Sequence, residues 1–118
     1  MKITYLLFLL IFLLIGFGCS SIPQDKSCLP EALMMNEALR AKSIKSGVLT
    51  INYKNVSHAI CCYELKNNPN RGYAWDINWG SVPLKPWGWD AEITGKQWSI
   101  GWMPNSTFVS AHWEVPIE

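Results

Sequence analysis

Three residue types that together can perform thiol chemistry occur in the order Cys28, His58 and Asp76. A cysteine at the start of a helix is a better nucleophile, because the partial positive charge there favours the thiolate. A histidine can take the thiol proton and return it to the leaving group, and a carboxylate can hold the ring in one tautomer. The order therefore indicates a Cys–His–Asp catalytic triad.

The residues that follow Cys28 have the pattern of an amphipathic helix. Apolar side chains recur at helical spacing over residues 28–45. Ser27 is the predicted N-cap, Pro30 fits in the first turn, and Gly47 is the predicted end of the helix. We therefore expect Cys28 at the N-terminus of the helix, where a nucleophile would be activated.

Beyond the helix, the spacing of apolar residues changes to a period of two, which is typical of half-buried strands. The sequence predicts a turn-rich segment at residues 66–72 and strands at residues 48–53, 57–65, 73–77, 97–103 and 107–113. One helix followed by antiparallel strands is an α+β pattern. We expect a single α+β domain over residues 27–118, in which the helix that carries Cys28 packs on an antiparallel sheet.

The second and third predicted strands form a hairpin that brings the histidine and the aspartate together. With a three-residue loop at residues 66–68, His58 lies directly opposite Asp76. Residues that are directly opposite share a face of the sheet, whereas a slip of one residue would separate them. This register places the two side chains next to each other on one face of the sheet.

Two short motifs resemble those of papain-like and transglutaminase-like cysteine peptidases, most of all the bacteriocin-processing branch. The motifs are His58-Ala59-Ile60-Cys61-Cys62-Tyr63 and Asp76-Ile77-Asn78-Trp79-Gly80. The resemblance covers residues 27–80 and implies a minimal papain-like fold. It also implies that Cys28, His58 and Asp76 cleave a peptide or amide substrate through a thioester, with no cofactor.

The chain departs from that branch around the cysteine. The branch has an acidic residue before the cysteine and a glycine after it, where this chain has Ser27 and Leu29. It also has an upstream glutamine that completes the oxyanion hole. Gln24 is the candidate for that role, at a shorter spacing.

The N-terminus resembles a bacterial lipoprotein signal. A positive start, Met1-Lys2, precedes an apolar run at residues 5–15 that is too short to span a bilayer as a helix. Gly18-Cys19 is the expected cleavage and lipidation point. We expect a signal peptide at residues 1–18, a tether at residues 19–26 and a location in the bacterial envelope. The domain would be lipid-anchored to a membrane, or secreted or periplasmic if Cys19 is unmodified.

An exported domain allows a second interpretation of Cys28, namely a disulfide bond with Cys61 or Cys62. Such a bond would remove the nucleophile. A metal site built from His58, Cys61, Cys62 and His112 is not expected, because adjacent cysteines on a strand point to opposite faces. The alternative to a thiol hydrolase is therefore a non-catalytic envelope lipoprotein whose disulfide-bonded, tryptophan-rich domain binds a glycan or a protein.

The seven tryptophans allow both core and binding roles. We expect Trp75, Trp98 and Trp113 in the core, and Trp79 as a substrate-binding cleft wall near Asp76. Trp87-Gly88-Trp89-Asp90 is the candidate stacking platform, with both indoles on one strand face and Asp90 available to hydroxyl groups. Nucleic acid is excluded as a partner, because the net charge is only +1 and no basic cluster exists in the sequence.

Overall fold

The computed structural model describes residues 28–118, which form an α+β domain with a five-stranded antiparallel sheet. The strand order is β4-β3-β2-β1-β5. The elements are α1 (Leu29–Ala41), β1 (Lys45–Tyr53), β2 (Ser57–Leu65), β3 (Asn68–Asp76), β4 (Gly80–Leu84), α2 (Ala91–Trp102) and β5 (Phe108–Val115). The α+β class and the antiparallel sheet are confirmed. The predicted signal peptide, the tether, Cys19, Gln24 and Ser27 lie outside the described residues.

Helix α1 begins where the sequence predicts and ends earlier. Cys28 is its N-cap residue, so the predicted N-cap at Ser27 is wrong by one position, and Pro30 lies in the first turn. The helix ends at Ala41 because Ser43 adopts a positive φ of 61°. The predicted end at Gly47 is wrong, since Gly47 lies inside β1. There, a Cβ atom would come within 2.5 Å of the carbonyl oxygen of Val115, so this glycine permits a close approach of two backbones.

Strands β2 and β3 form the expected hairpin in a different register. Cys61 pairs with Trp75, and a bulge beyond Glu64 lets Leu65 pair with Asn68. The predicted three-residue loop is therefore wrong, and β3 begins within the segment that was predicted to be a turn. The register differs from the predicted one by two residues. Because a slip of two preserves the face on which each side chain lies, His58 and Asp76 still share a face.

The C-terminal half differs most from the expectation. Residues 97–103 were predicted to form a strand, but most of them belong to α2. The Asp90 carboxylate accepts a hydrogen bond from the backbone N–H of Ile93 and thereby caps this helix. Thr94, Gly95, Trp98 and Ser99 are buried at helical spacing. Strand β4 was not predicted.

The sheet carries a hydrophobic core on each of its two faces. Helix α1 covers one face, which we call the α1 face, through Ala32, Met35, Val48, Ala59, Cys61 and Trp75. Helix α2 packs on the other, the α2 face, where the buried residues include Leu49, Ile51, Ile60, Cys62, Ala74 and Trp98. The adjacent cysteines thus belong to different cores. Within residues 28–118, neither helix is long and apolar enough to cross a membrane.

Candidate functional site

His58 and Asp76 form a buried hydrogen-bonded pair on the α2 face. His58 Nε2 donates to Asp76 Oδ2. Only 8% of His58 and 1% of Asp76 is exposed. The structure confirms that β2 and β3 bring these two residues together, although they lie diagonally across the strands and not directly opposite each other.

The second carboxylate oxygen of Asp76 fixes the turn after β3. Asp76 Oδ1 accepts the backbone N–H groups of Asn78 at 2.7 Å and Trp79 at 3.1 Å. Gly80, at the end of this turn, has a φ of +75° and starts β4. Both carboxylate oxygens therefore have partners, so the carboxylate can hold the imidazole of His58 in one orientation.

Aromatic side chains surround this pair, and we call His58, Asp76 and Trp98 the histidine centre. Trp98, from α2, stacks on the ring of His58 with 5.2 Å between centroids and 19° between planes. Trp79 packs against Trp98 at 6.0 Å and against Trp102 at 5.6 Å. Trp79 is 46% exposed, so it forms an aromatic surface beside Asp76.

A tyrosine completes the packing around the histidine centre. Tyr53 shares a 2.6 Å hydrogen bond with Ser99 of α2. Burial raises the pKa of Tyr53, and the negative charge of Asp76 raises it further. Tyr53 therefore remains a neutral hydroxyl near neutral pH and serves to pack α2 on the sheet.

Cys28 does not join His58 and Asp76. Cys28 is buried and disulfide-bonded. It is the N-cap of α1, which packs on the α1 face, whereas His58 points to the α2 face. Cys61 and Cys62 are both free, so the alternative of a disulfide bond from Cys28 to either of them is wrong. The disulfide partner of Cys28 lies outside the described residues.

The two free cysteines do not replace Cys28 as a nucleophile. Burial raises the pKa of Cys61 to about 12, and burial together with the neighbouring Cys61 raises that of Cys62 well above its ordinary value. Both thiols therefore remain protonated near neutral pH, and a protonated thiol is a poor nucleophile. Cys61 also points away from the α2 face, on which His58 lies.

A second cluster lies at the other end of the same face, in the connection between β4 and α2. We call residues 85–90 the tryptophan loop. Three consecutive residues have positive φ values, with 49° at Trp87, 70° at Gly88 and 58° at Trp89. Such values are rare for residues as bulky as tryptophan. The prediction that this segment is a strand is wrong.

Side chains from several elements hold the tryptophan loop. The amide of Gln97 bonds to both the backbone N–H and the carbonyl of Lys85, each at 2.8 Å. The indole N–H of Trp89 donates to Glu64 at 3.0 Å, and that of Trp113 donates to the carbonyl of Trp89 at 2.9 Å. These contacts fix both ends of the loop, so its strained backbone is held in one conformation.

The two indoles of the tryptophan loop lie in different environments. Trp89 packs against the core of the α2 face, and its ring lies over Gly72. Trp87 is 60% exposed and lines a cavity of about 420 Å³, which we call the loop cavity. The other lining residues are Lys45, Glu64, Asn70, Pro86, Gly88 and Trp89. The two indoles thus do not share a face, and the carboxylate of Asp90 is occupied as a helix cap.

The remaining site predictions have simple outcomes. Trp75 and Trp98 are core residues, with 3% and 2% exposed, and Trp113 is half-buried against the same core as Trp98. His112 is exposed and pairs with Glu114 at 2.8 Å. Over residues 28–118, no three His, Cys, Asp or Glu side chains converge in a way that could hold a metal ion.

The sequence analysis missed the residues that build the loop cavity. Three of these residues, Lys45, Glu64 and Asn70, lie on three different strands, and no motif marks them. Asp90 did carry a signal, since an aspartate at the N-cap with a glutamate in the first turn is a common helix start. Comparisons with protein-family models, with curated proteins and with solved structures find no match for this chain.

Proposed function

We propose that this chain is a non-catalytic, disulfide-bonded binding domain of the bacterial envelope, and that its ligand contacts Trp87. The observation that carries this proposal is the strained tryptophan loop, which presents an exposed indole beside the loop cavity. Rigid presentation of an aromatic ring favours binding, because little conformational entropy is lost when a ligand docks.

The strain in the loop supports a functional role. A non-glycine residue in the left-handed region costs about 1–3 kcal/mol, and such residues cluster at binding and catalytic sites. A connection between β4 and α2 needs no tryptophan with positive φ. The contacts of Gln97 and Trp113 keep this conformation in place.

The state of Cys28 also supports a binding domain. A thiol hydrolase needs a thiolate within hydrogen-bond reach of its histidine. Here the sulfur of Cys28 is bonded, and the sheet lies between α1 and the ring of His58. The disulfide stabilises a small exported domain, for which such bonds are common.

Export to the envelope rests on the N-terminal sequence. The apolar run at residues 5–15 and Gly18-Cys19 resemble a lipoprotein signal. Lipidation of Cys19 stays a prediction. One sulfur cannot carry a lipid thioether and also form a disulfide bond, so the intact mass of the mature protein, measured with and without reductant, decides which modification Cys19 has.

Binding is tested by co-sedimentation of the full mature chain with purified peptidoglycan, chitin and amorphous cellulose, and by its retention on immobilised casein. We expect retention by at least one of these polymers and its loss in Trp87→Ala. Ile100→Ala is the control, since Ile100 is an exposed apolar residue of α2 outside the loop cavity. Unchanged retention of Trp87→Ala, or no retention of the wild type, would refute the proposal.

The second candidate function is a papain-like thiol hydrolase acting on a peptide or amide bond, in which Trp79 lines the substrate cleft. The assembled pair of His58 and Asp76 favours it. This function requires that Cys28 is reduced and that its sulfur reaches the ring of His58. In the reduced chain, His58→Gln should then slow the alkylation of Cys28 by iodoacetamide. Equal rates in the variant and the wild type would eliminate this candidate.

A further inference from the structure

We propose that the loop cavity is a saccharide site, in which a sugar ring stacks on Trp87 and its hydroxyl groups bond to Glu64, Lys45 and Asn70. This inference rests on the proposed binding function and names its ligand class. The site lies at the opposite end of the α2 face from the histidine centre. Glu64 is six residues along β2 from His58, a distance of about 20 Å.

The size of the loop cavity suits a small polar ligand. Its volume of about 420 Å³ falls within the range of small-molecule sites in proteins. A second cavity of about 330 Å³ adjoins it and shares Asn70, with Arg71, Lys85 and Gln97 among its other lining residues. Because the two cavities share Asn70, together they fit an oligosaccharide of two or more rings better than a single sugar.

The exposed indole offers the surface that a sugar ring needs. The face of an aromatic ring carries partial negative charge. It therefore attracts the C–H groups on the apolar face of a pyranose. The ammonium of Lys85 lies 5.6 Å from the centroid of Trp87 and lines the adjoining cavity. This distance is within the range of a cation–π contact, the type of interaction that the negative face of an indole favours.

The polar residues beside the indole supply both donors and acceptors for hydroxyl groups. Glu64 accepts hydrogen bonds, Lys45 donates them, and Asn70 can do both. Glu64 is held in place by the indole of Trp89 at 3.0 Å and by Lys45 at 3.6 Å, and only 14% of its side chain is exposed. Two neighbouring hydroxyl groups of a sugar fit this pair, because one can donate a hydrogen bond to the Glu64 carboxylate while the other accepts one from the Lys45 ammonium.

The charges in the loop cavity favour a neutral saccharide over two other ligand classes. Lys45 and Glu64 have opposite signs and form an ion pair, so the cavity does not present the positive charge that a phosphate ligand requires. An apolar peptide side chain would displace water from this ion pair and would offer no hydrogen bonds in place of those that the water made. Hydroxyl groups can replace those bonds.

The test uses the full mature chain and isothermal titration calorimetry with cello-, malto- and chito-oligosaccharides of one to six rings. We expect binding to at least one series, with trimers binding more tightly than the monosaccharide. Trp87→Ala should weaken binding by about tenfold or more, because the stacking surface is lost. Glu64→Gln should weaken it less, since the amide oxygen can still accept from the indole of Trp89.

Two variants guard against trivial explanations. Trp87→Gly removes the indole and also relieves the strained φ, so it tests the loss of the ring without the backbone strain that Trp87→Ala retains. Ile100→Ala should bind as the wild type does. Circular dichroism of each variant confirms that the fold is intact.

The outcomes separate this inference from the proposed function. Trp87-dependent retention on casein without binding of any oligosaccharide would overturn the saccharide site and leave the binding domain standing. Saccharide binding that Trp87→Ala and Trp87→Gly do not change would also overturn the site. If no saccharide, polysaccharide or casein binds, both proposals fall.

Discussion

The buried carboxylate of Asp76 should be one of the main determinants of stability. Replacing it in Asp76→Ala removes three hydrogen bonds at once, from the ring of His58 and from the backbone N–H groups of Asn78 and Trp79. The His58 side chain is only 10% exposed, so its N–H would be left without a partner in the core. The two backbone groups lie in an exposed turn and can bond to water instead.

The expected loss of stability follows from these environments. An unpaired buried donor costs about 1–3 kcal/mol, and each rehydrated backbone bond costs about 0.5–1.5 kcal/mol. Asp76→Ala should therefore reduce the free energy of unfolding by about 3 kcal/mol. Asp76→Asn should cost about 1 kcal/mol, because its oxygen keeps both backbone bonds and its NH₂ group can donate to Nε2 of the other tautomer.

Urea unfolding followed by tryptophan fluorescence measures these losses. With an m-value of about 1–3 kcal/mol/M, Asp76→Ala should lower the midpoint by about 1–3 M. The control is His112→Ala, which removes an exposed histidine–carboxylate pair with a bond of 2.8 Å. It should change stability by less than about 1 kcal/mol. The reasoning is refuted if Asp76→Ala costs no more than His112→Ala, or if Asp76→Asn costs as much as Asp76→Ala.

Three further predictions concern the cysteines and the tryptophan loop. Denatured, unreduced protein should contain two thiols that react with Ellman's reagent, because Cys61 and Cys62 are free and Cys28 is bonded; three thiols would contradict the disulfide. The Cys61 thiol alone should lower stability between pH 9 and 12 by up to about 1.4 kcal/mol per pH unit, since its pKa rises from 9.0 to about 12 on folding and the unfolded chain loses its proton first; Cys62 adds to this fall because burial also raises its pKa. Cys61→Ala should flatten this fall in urea titrations, and an unchanged slope would exclude Cys61 as its source. Gly72→Ala should cost about 1–3 kcal/mol and weaken ligand binding, because its Cβ would lie 2.5 Å from the ring of Trp89; wild-type stability with intact binding would show that this contact does not hold the loop.

The hairpin that carries His58 and Asp76 could be predicted because its signals are local. A continuous apolar run at residues 59–63, followed by turn-forming residues, marks β2. The even spacing between His58 and Asp76 tolerates a register error of two. The bulge beyond Glu64 could not be predicted, since it depends on how Leu65 packs in the folded sheet. The common face was therefore predicted correctly from an incorrect register.

The relation of Cys28 to His58 could not be predicted from the sequence. Which face α1 covers depends on the packing of the whole sheet, and no local pattern around Cys28 specifies it. The conformation of the tryptophan loop could not be predicted for a different reason. Tryptophan favours strands, and contacts from distant residues such as Gln97 and Trp113 overcome this preference.

The adjacent thiols of Cys61 and Cys62 lie on opposite sides of one strand. Cys61 can react with an alkylating agent only when α1 moves away from β2, whereas Cys62 can react only when the core of the α2 face opens, because both thiols are fully buried. Slow alkylation of the native protein, resolved by tandem mass spectrometry, would thus report separately on the opening of the two cores. The two neighbouring thiols therefore allow the order in which the two sides of the sheet open to be measured in one experiment.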